Sequence, residues 1–320
     1  MNSFYKFLKD WMLVISIITG VCLYLLYHSI PSIHSAGPAL EYGIKKLQPA
    51  LLFMMLFLSF CKVTPSQMKP RRWMAWHLLI QGGLFVLLAL VLAMFPNIRG
   101  YIAIEAFMLC IICPTATACA VVTGKLGGDM AGVVTYTVLI NLLTAIVVPL
   151  MVPLIHPSAD MTFFSAFIRI LMKVFPLLIM PCLAAWLVRW FLPDLHKRIL
   201  NYTDLSFYIW AFSLMLAILM STRAIVHETE GVKLLAEIAI ASALSCVLQF
   251  GLGKMIGRRY GCEISAGQAL GQKNTVFGIW MGYTFMTPLT SVAGGFYSIW
   301  HNVFNTWQLY KKRKADETGV

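Results

Sequence analysis

Charge is scarce in this chain. Only 12% of its 320 residues are charged, whereas 59% are hydrophobic, and the mean hydropathy is +0.78. Soluble domains carry about 25% charged residues, so this composition excludes an ordinary soluble protein. It indicates a chain that crosses a lipid bilayer several times.

Motifs of enzymes and metal sites are also lacking. The sequence contains no G-x-S-x-G, no H-E-x-x-H and no phosphate-binding loop, and its seven histidines are scattered. Eight cysteines fall mostly in apolar segments, and no C-x-x-C pair has a second pair at zinc spacing. We interpret them as reduced packing residues, and we expect neither an enzyme nor a bound cofactor or metal.

Apolar segments near the roughly 20 residues needed to cross a bilayer recur along the chain. We predict ten spans, near 11–31, 45–63, 73–95, 101–123, 130–154, 165–191, 205–226, 234–256, 264–285 and 290–309. With the N-terminus in the cytoplasm, 17 lysines and arginines fall on the cytoplasmic side and 7 outside. This asymmetry predicts a multi-pass protein of the plasma (inner) membrane with both termini cytoplasmic.

The basic tail, 311–320, follows the last span and contains the run KKRK. At that place it is suited to anionic lipid, so we expect the bilayer as its partner and no nucleic acid. The charge count leaves one cation, Lys273, inside a span.

The ten spans divide into two halves of five, 1–155 and 163–310, and an odd-numbered repeat must be inverted in the membrane. The fourth span of each half is interrupted, by Pro114 in the first and by Gln272, Lys273 and Asn274 in the second. Paired interruptions of this kind indicate a transporter's binding site. The predicted fold is all-α, with ten transmembrane helices in two inverted five-helix repeats and discontinuous, crossing fourth and ninth helices.

The residues around the interruptions have specific expected roles. Pro114 breaks the helix, and the hydroxyls of Thr115 and Thr117 can satisfy carbonyls that the break frees. Gln272 and Asn274 either bond across the crossing or cap the helix that follows. These residues and Lys273 form the candidate substrate site.

Two roles are open for Lys273. An intramembrane charge indicates function by default, although a lysine near a span end can instead extend to the interface. Glu105, early in the fourth span, is either solvated at the interface or a partner of Lys273. The positive ends of the half-helices, together with Lys273, favour an anionic substrate.

Two stretches, CPTATACAVVTGKLGGDMAGVVTYT (113–137) and GQALGQKNTVFG (267–278), resemble the bile acid:sodium symporter family. The resemblance implies a core domain of spans 3–5 and 8–10 and a panel domain of spans 1, 2, 6 and 7. It also implies a substrate site in the cleft between these domains, beside the crossing.

The chain departs from the family at the ion sites. Sodium-coupled members carry a Ser-Asn pair where this chain has Cys119 and Ala120, and a Glu and a Gln where it has Ala269 and Lys273. Sodium prefers oxygen ligands, and Thr135 or Thr137 could supply only a hydroxyl. We treat these positions as remnants of ion sites and hypothesise that Lys273 replaces the bound cation.

The expected function is secondary transport of small organic anions, bile-acid-like or other carboxylates, by alternating access and without sodium coupling. Two alternatives remain open. One is a proton-coupled transporter or cation/proton exchanger on the same fold, with Lys273 exchanging a proton. The other is a membrane receptor that binds its ligand without moving it.

Overall fold

The computed structural model describes residues 3–157, 160–202, 204–227 and 231–318, and every regular element in these ranges is a helix. Two short 3₁₀ segments, Pro31–Ala36 and Pro65–Gln67, flank the second helix. The α-helices are α1 Ser3–Ser29, α2 Gly37–Cys61, α3 Arg72–Met94, α4 Tyr101–Ile112, α5 Cys119–Lys125, α6 Met130–Ile155, α7 Phe163–Phe191, α8 Pro193–Asn201, α9 Leu205–Val226, α10 Val232–Arg259, α11 Glu263–Gly271, α12 Thr275–Phe285 and α13 Pro288–Thr318.

Seven helical segments of the described chain are long and apolar enough to cross a bilayer. They comprise most of α1, α2 with the preceding 3₁₀ turn, and the whole of α3, α6, α7, α9 and α10. The prediction of a polytopic all-α membrane protein is therefore confirmed, while the count of ten spans and the inverted repeat remain predictions.

Three predicted spans are not single apolar helices of this kind. The fourth divides into α4 and α5, the ninth divides into α11 and α12, and the tenth lies inside α13, which continues into the basic tail. The predicted start of the first span is confirmed, because its apolar segment begins at Trp11, inside a helix that starts at Ser3. The predicted start of the second span was wrong: its helix begins at Gly37 rather than near 45, because Pro38 fits a first helical turn that needs no N–H.

Two sets of helices can be distinguished. The first set comprises α1, α2, α7 and α9, and the second comprises α3, α4, α6 and α10 to α13, although α7 packs on α6 of the second set as well as on α2. Contacts between the sets include α6 with α7, α9 with α13, and α12 with both α2 and α9. The largest hydrophobic cluster contains residues from both sets, such as Leu56 and Phe277, so the sets share an apolar interface.

Glycines on α10 allow α11 to approach closely. A β-carbon at Gly253 would lie 2.8 Å from the Ala266 carbonyl oxygen and 2.9 Å from the Gly267 α-carbon. A β-carbon at Gly257 would lie 2.8 Å from the Glu263 α-carbon. Small residues at such contacts let helix backbones approach in membranes. This packing fixes the half-helix α11, which leads into the second interruption.

Candidate functional site

The two helix interruptions pair with each other. Thr115, between α4 and α5, forms an isolated antiparallel bridge with Lys273, between α11 and α12. The Ala116 amide donates to the Gln272 carbonyl at 2.9 Å, and the Asn274 amide donates to the Pro114 carbonyl at 2.8 Å. Unwound backbone deep in a membrane protein needs internal partners, and here each break supplies them to the other.

The break after α4 begins where the sequence places Pro114. Proline has no amide hydrogen, so the Cys110 carbonyl lacks its usual partner four residues on. The Ala116 amide is directed to the other break, so the Ile112 carbonyl also lacks one. The end of α4 is therefore a cluster of carbonyl oxygens that carry the negative end of the helix dipole.

Side chains from four different segments donate to these carbonyls, each at 3.1–3.2 Å. The acceptors, in chain order, are the carbonyls of Cys110, Ile111, Ile112 and Cys113. The donors, in the same order, are the side chains of Gln249, Lys273, Thr144 and Gln81. Three of these donors are neutral amide or hydroxyl groups, and Lys273 is the basic one.

Lys273 is 1% exposed, and its Nζ donates to the Ile111 carbonyl. The side chain therefore does not extend to an interface, which excludes the structural alternative raised from the sequence. The ionisable groups around Lys273 include the thiols of Cys110, Cys113, Cys119 and Cys246 and the imidazole of His77. The Lys273 Nζ thus donates to one carbonyl oxygen and lies among these groups.

Glu105 is fully buried, and the suggested partnership with Lys273 is wrong for this structure. Its carboxylate contacts the His156 imidazole and the Thr290 hydroxyl, and it accepts from the Thr287 hydroxyl at 3.3 Å. The reason is its position in the first turns of α4, whereas Lys273 reaches the last turn of the same helix. Solvation at an interface is excluded as well.

The remaining crossing residues are placed as follows. Thr115 is buried, and its hydroxyl donates to the Ala269 carbonyl at 2.8 Å, while Thr117 is half-buried. The Asn274 side chain caps α12 by accepting from the Phe277 amide at 3.2 Å. Gln272 is buried, and its carbonyl rather than its side chain forms the bond across the crossing.

A model of the sodium bile acid symporter family matches residues 49–228, more than half of the chain. The chain belongs to this family. No curated protein matches it. Members of the sodium bile acid symporter family are transporters and not enzymes, so the predictions of family, of membrane transport and of a non-enzymatic protein are confirmed.

The positions where symporter relatives were expected to bind sodium are buried but poor in oxygen. Cys119 and Ala269 are fully buried, and Ala120 is half-buried. Thr135 and Thr137 are buried, and each hydroxyl donates to a carbonyl of its own helix, four residues back, at 2.9 Å. Within the described ranges, no group of three His, Cys, Asp or Glu side chains could hold a metal ion.

Three residues of the site, Gln81, Tyr136 and Thr144, escaped the sequence reasoning. The Gln81 amide donates to the Cys113 carbonyl, and its oxygen accepts from the Tyr136 hydroxyl at 2.8 Å. Both side chains are buried. A lone glutamine inside the apolar segment 73–95 was the available signal, since polar side chains there form hydrogen bonds between helices.

Proposed function

We propose that this symporter-family protein is a secondary transporter of small organic anions, bile-acid-like or other carboxylates, and that it works by alternating access without sodium. The tethered ammonium of Lys273 takes the place of the transported cation. Pro114, Thr115, Thr117, Gln272 and Asn274 form the crossing against which the substrate binds.

The observation that carries this proposal is the bond from Lys273 Nζ to the Ile111 carbonyl at the end of α4. Carbonyls at unwound backbone and at half-helix C-termini are the groups with which transporters bind sodium or protons. A buried ammonium at that position bonds one of these oxygens and offsets the negative end of the same helix dipole. A free cation would have to displace it or bind beside a like charge.

The side chains at the expected sodium sites support the same conclusion. Sodium is a hard cation that needs several oxygen ligands. Cys119, Ala120 and Ala269 provide no hard side-chain oxygen, and the Thr135 and Thr137 hydroxyls donate within α6. The fixed ammonium of Lys273 also indicates the sign of the substrate's charge, because a positive charge in a low-dielectric site favours binding of an anion.

Ten spans in two inverted repeats, 1–155 and 163–310, are the architecture we propose for this function. The two helix sets correspond to a panel (spans 1, 2, 6 and 7) and a core (spans 3–5 and 8–10) that rock against each other. The surplus of Lys and Arg on one side supports cytoplasmic termini in a plasma (inner) membrane, with the tail 311–320 on anionic lipid.

Counterflow in proteoliposomes tests the proposal. Vesicles loaded with unlabelled cholate in choline medium are diluted into labelled cholate with no sodium on either side. We expect transient accumulation of label, because a carrier exchanges its ligand whereas a receptor only binds it. Absence of counterflow for cholate and for a panel of smaller carboxylates would reject the proposed function.

Proton coupling on the same fold is a second candidate, and the Glu105 cluster favours it. Glu105 is a buried carboxylate in contact with His156, whose side chain is 26% exposed, and with two threonine hydroxyls. A buried carboxylate that reaches partly exposed imidazole can exchange a proton with water. An imposed pH gradient should then drive cholate uptake in wild type and not in Glu105→Gln.

A further inference from the structure

A polar network joins the two helix sets at the C-terminal end of α12. Glu41 on α2 and Arg223 on α9 form an ion pair within the first set. The hydroxyl of Tyr283, on α12 in the second set, donates to Glu41 Oε1 at 2.6 Å and lies 3.4 Å from Arg223 Nη1. Glu41 therefore binds Arg223 of its own helix set and, at the same time, the Tyr283 hydroxyl of the second helix set.

Among the described residues, further positive charges lie close to this network. Lys45 lies 2.7 Å from Glu41 and 5.0 Å from the centre of the Tyr283 ring. Lys173, on α7, lies 5.6 Å from the centre of the Phe285 ring. Lys45 and Arg223 thus both contact Glu41, and Lys173 lies near the end of α12 through its contact with Phe285.

A cavity of about 410 Å³ opens beside the network. Its lining includes Arg223, Ala224, His227, Tyr283, Thr287 and Leu289, so it is bounded by both helix sets. Its volume falls in the range of sites for small organic molecules, and its mixture of apolar walls and a few polar groups is typical of them. Arg223 keeps 39% of its side chain exposed, so a ligand can reach it.

We propose that this cavity is an entry site for the substrate's carboxylate, and that binding there releases the contact between the helix sets. An incoming carboxylate is chemically equivalent to Glu41 and competes with it for Arg223. Once Glu41 is displaced, the Tyr283 hydroxyl loses its short bond to α2, and α12 is free to separate. The inference rests on the proposed transport of organic anions and adds where the anion is first bound.

Opposite effects of the two charged partners test this mechanism. Uptake of labelled cholate, given as its choline salt, is measured for Arg223→Gln and Glu41→Gln. We expect Arg223→Gln to raise the KM about 10-fold or more, the value of one charge-assisted hydrogen bond. Glu41→Gln should lower the KM, because the resident competitor is gone. Lys46→Gln removes a different positive charge from α2, the helix that carries Glu41. It should leave the KM within about 2-fold of the wild-type value.

A neutral analogue of cholate, with an alcohol in place of the acid, separates charge recognition from folding. Its inhibition of uptake should be equal in wild type and Arg223→Gln. If Arg223→Gln does not fold, Arg223→Lys keeps the charge without the two-pronged geometry and should raise the KM by a smaller factor. A fall in maximal rate without opposite KM shifts in the Arg223 and Glu41 variants would overturn the proposal.

Accessibility of the cavity gives a second readout. Ala224→Cys, with Cys22 and Cys262 replaced by alanine, is labelled with a membrane-impermeant maleimide. The Tyr283→Phe substitution should speed labelling several-fold, because it removes the bond to Glu41, whereas Tyr42→Phe should not. A labelling rate that Tyr283→Phe leaves unchanged would contradict the release step. If wild type transports no carboxylate at all, the proposed function and this inference both fail.

Discussion

Replacement of Gly253 by alanine should loosen the packing of α11 on α10. The new β-carbon would lie 2.8 Å from the Ala266 carbonyl oxygen and 2.9 Å from the Gly267 α-carbon. Both atoms belong to the α11 backbone, so no side-chain rotation relieves the contact. Gly251, two residues earlier on α10, is a matched control, because a β-carbon there meets nothing within 4 Å.

The comparison of the two variants isolates the steric effect. Alanine is favoured over glycine in a helix interior by up to about 1 kcal/mol, and this gain is common to both positions. Overpacking of a tight contact costs about 1–3 kcal/mol, and only Gly253→Ala incurs it. We therefore expect the free energy of unfolding of Gly253→Ala to lie about 1–3 kcal/mol below that of Gly251→Ala.

Unfolding in mixed SDS and dodecylmaltoside micelles, followed by tryptophan fluorescence, measures this difference. Sodium-free cholate counterflow on the same samples shows whether displacement of α11 reaches the crossing. Equal stability of the two variants would refute the close approach of α10 and α11 on which the placement of the second break depends.

Three further substitutions test the crossing itself. Lys273→Met should reduce sodium-free cholate counterflow about 10-fold or more, because its charge-assisted bond is lost, whereas Lys46→Met should not. Thr115→Val removes the bond to the Ala269 carbonyl and should lower the free energy of unfolding by about 1 kcal/mol in mixed micelles, with little change expected for Thr117→Val. Tyr136→Phe removes a buried 2.8 Å bond and should cost a similar amount by the same assay. Wild-type values in all three would contradict the described contacts.

Much of the helical pattern follows from the sequence because a bilayer demands long apolar helices. Pro114 and the run Gln272–Asn274 identified the two interruptions, because a proline and consecutive polar residues stand out inside apolar segments of membrane-spanning length. Helix starts were less predictable. The first turns of α1 and α2 contain polar residues and so carry no hydropathy signal.

The partners of the buried charges could not be read from the sequence. Glu105 and Lys273 are both isolated charges near the same helix, and a pairing between them was plausible. The structure places them at opposite ends of α4, with His156 and Thr290 at one end and the Ile111 carbonyl at the other. Gln81 was missed for a related reason: its partner is a backbone carbonyl, and carbonyls carry no sequence signature.

The ratio of initial cholate uptake rates in sodium chloride and in choline chloride tests the central claim most directly. It is measured in proteoliposomes at equal membrane potential for wild type and for the fourfold variant Cys119→Ser, Ala120→Asn, Ala269→Glu, Lys273→Gln. If Lys273 replaces the travelling cation, the wild-type ratio is close to one and the variant's ratio rises above it. A wild-type ratio far above one, with uptake lost in choline, would contradict the account.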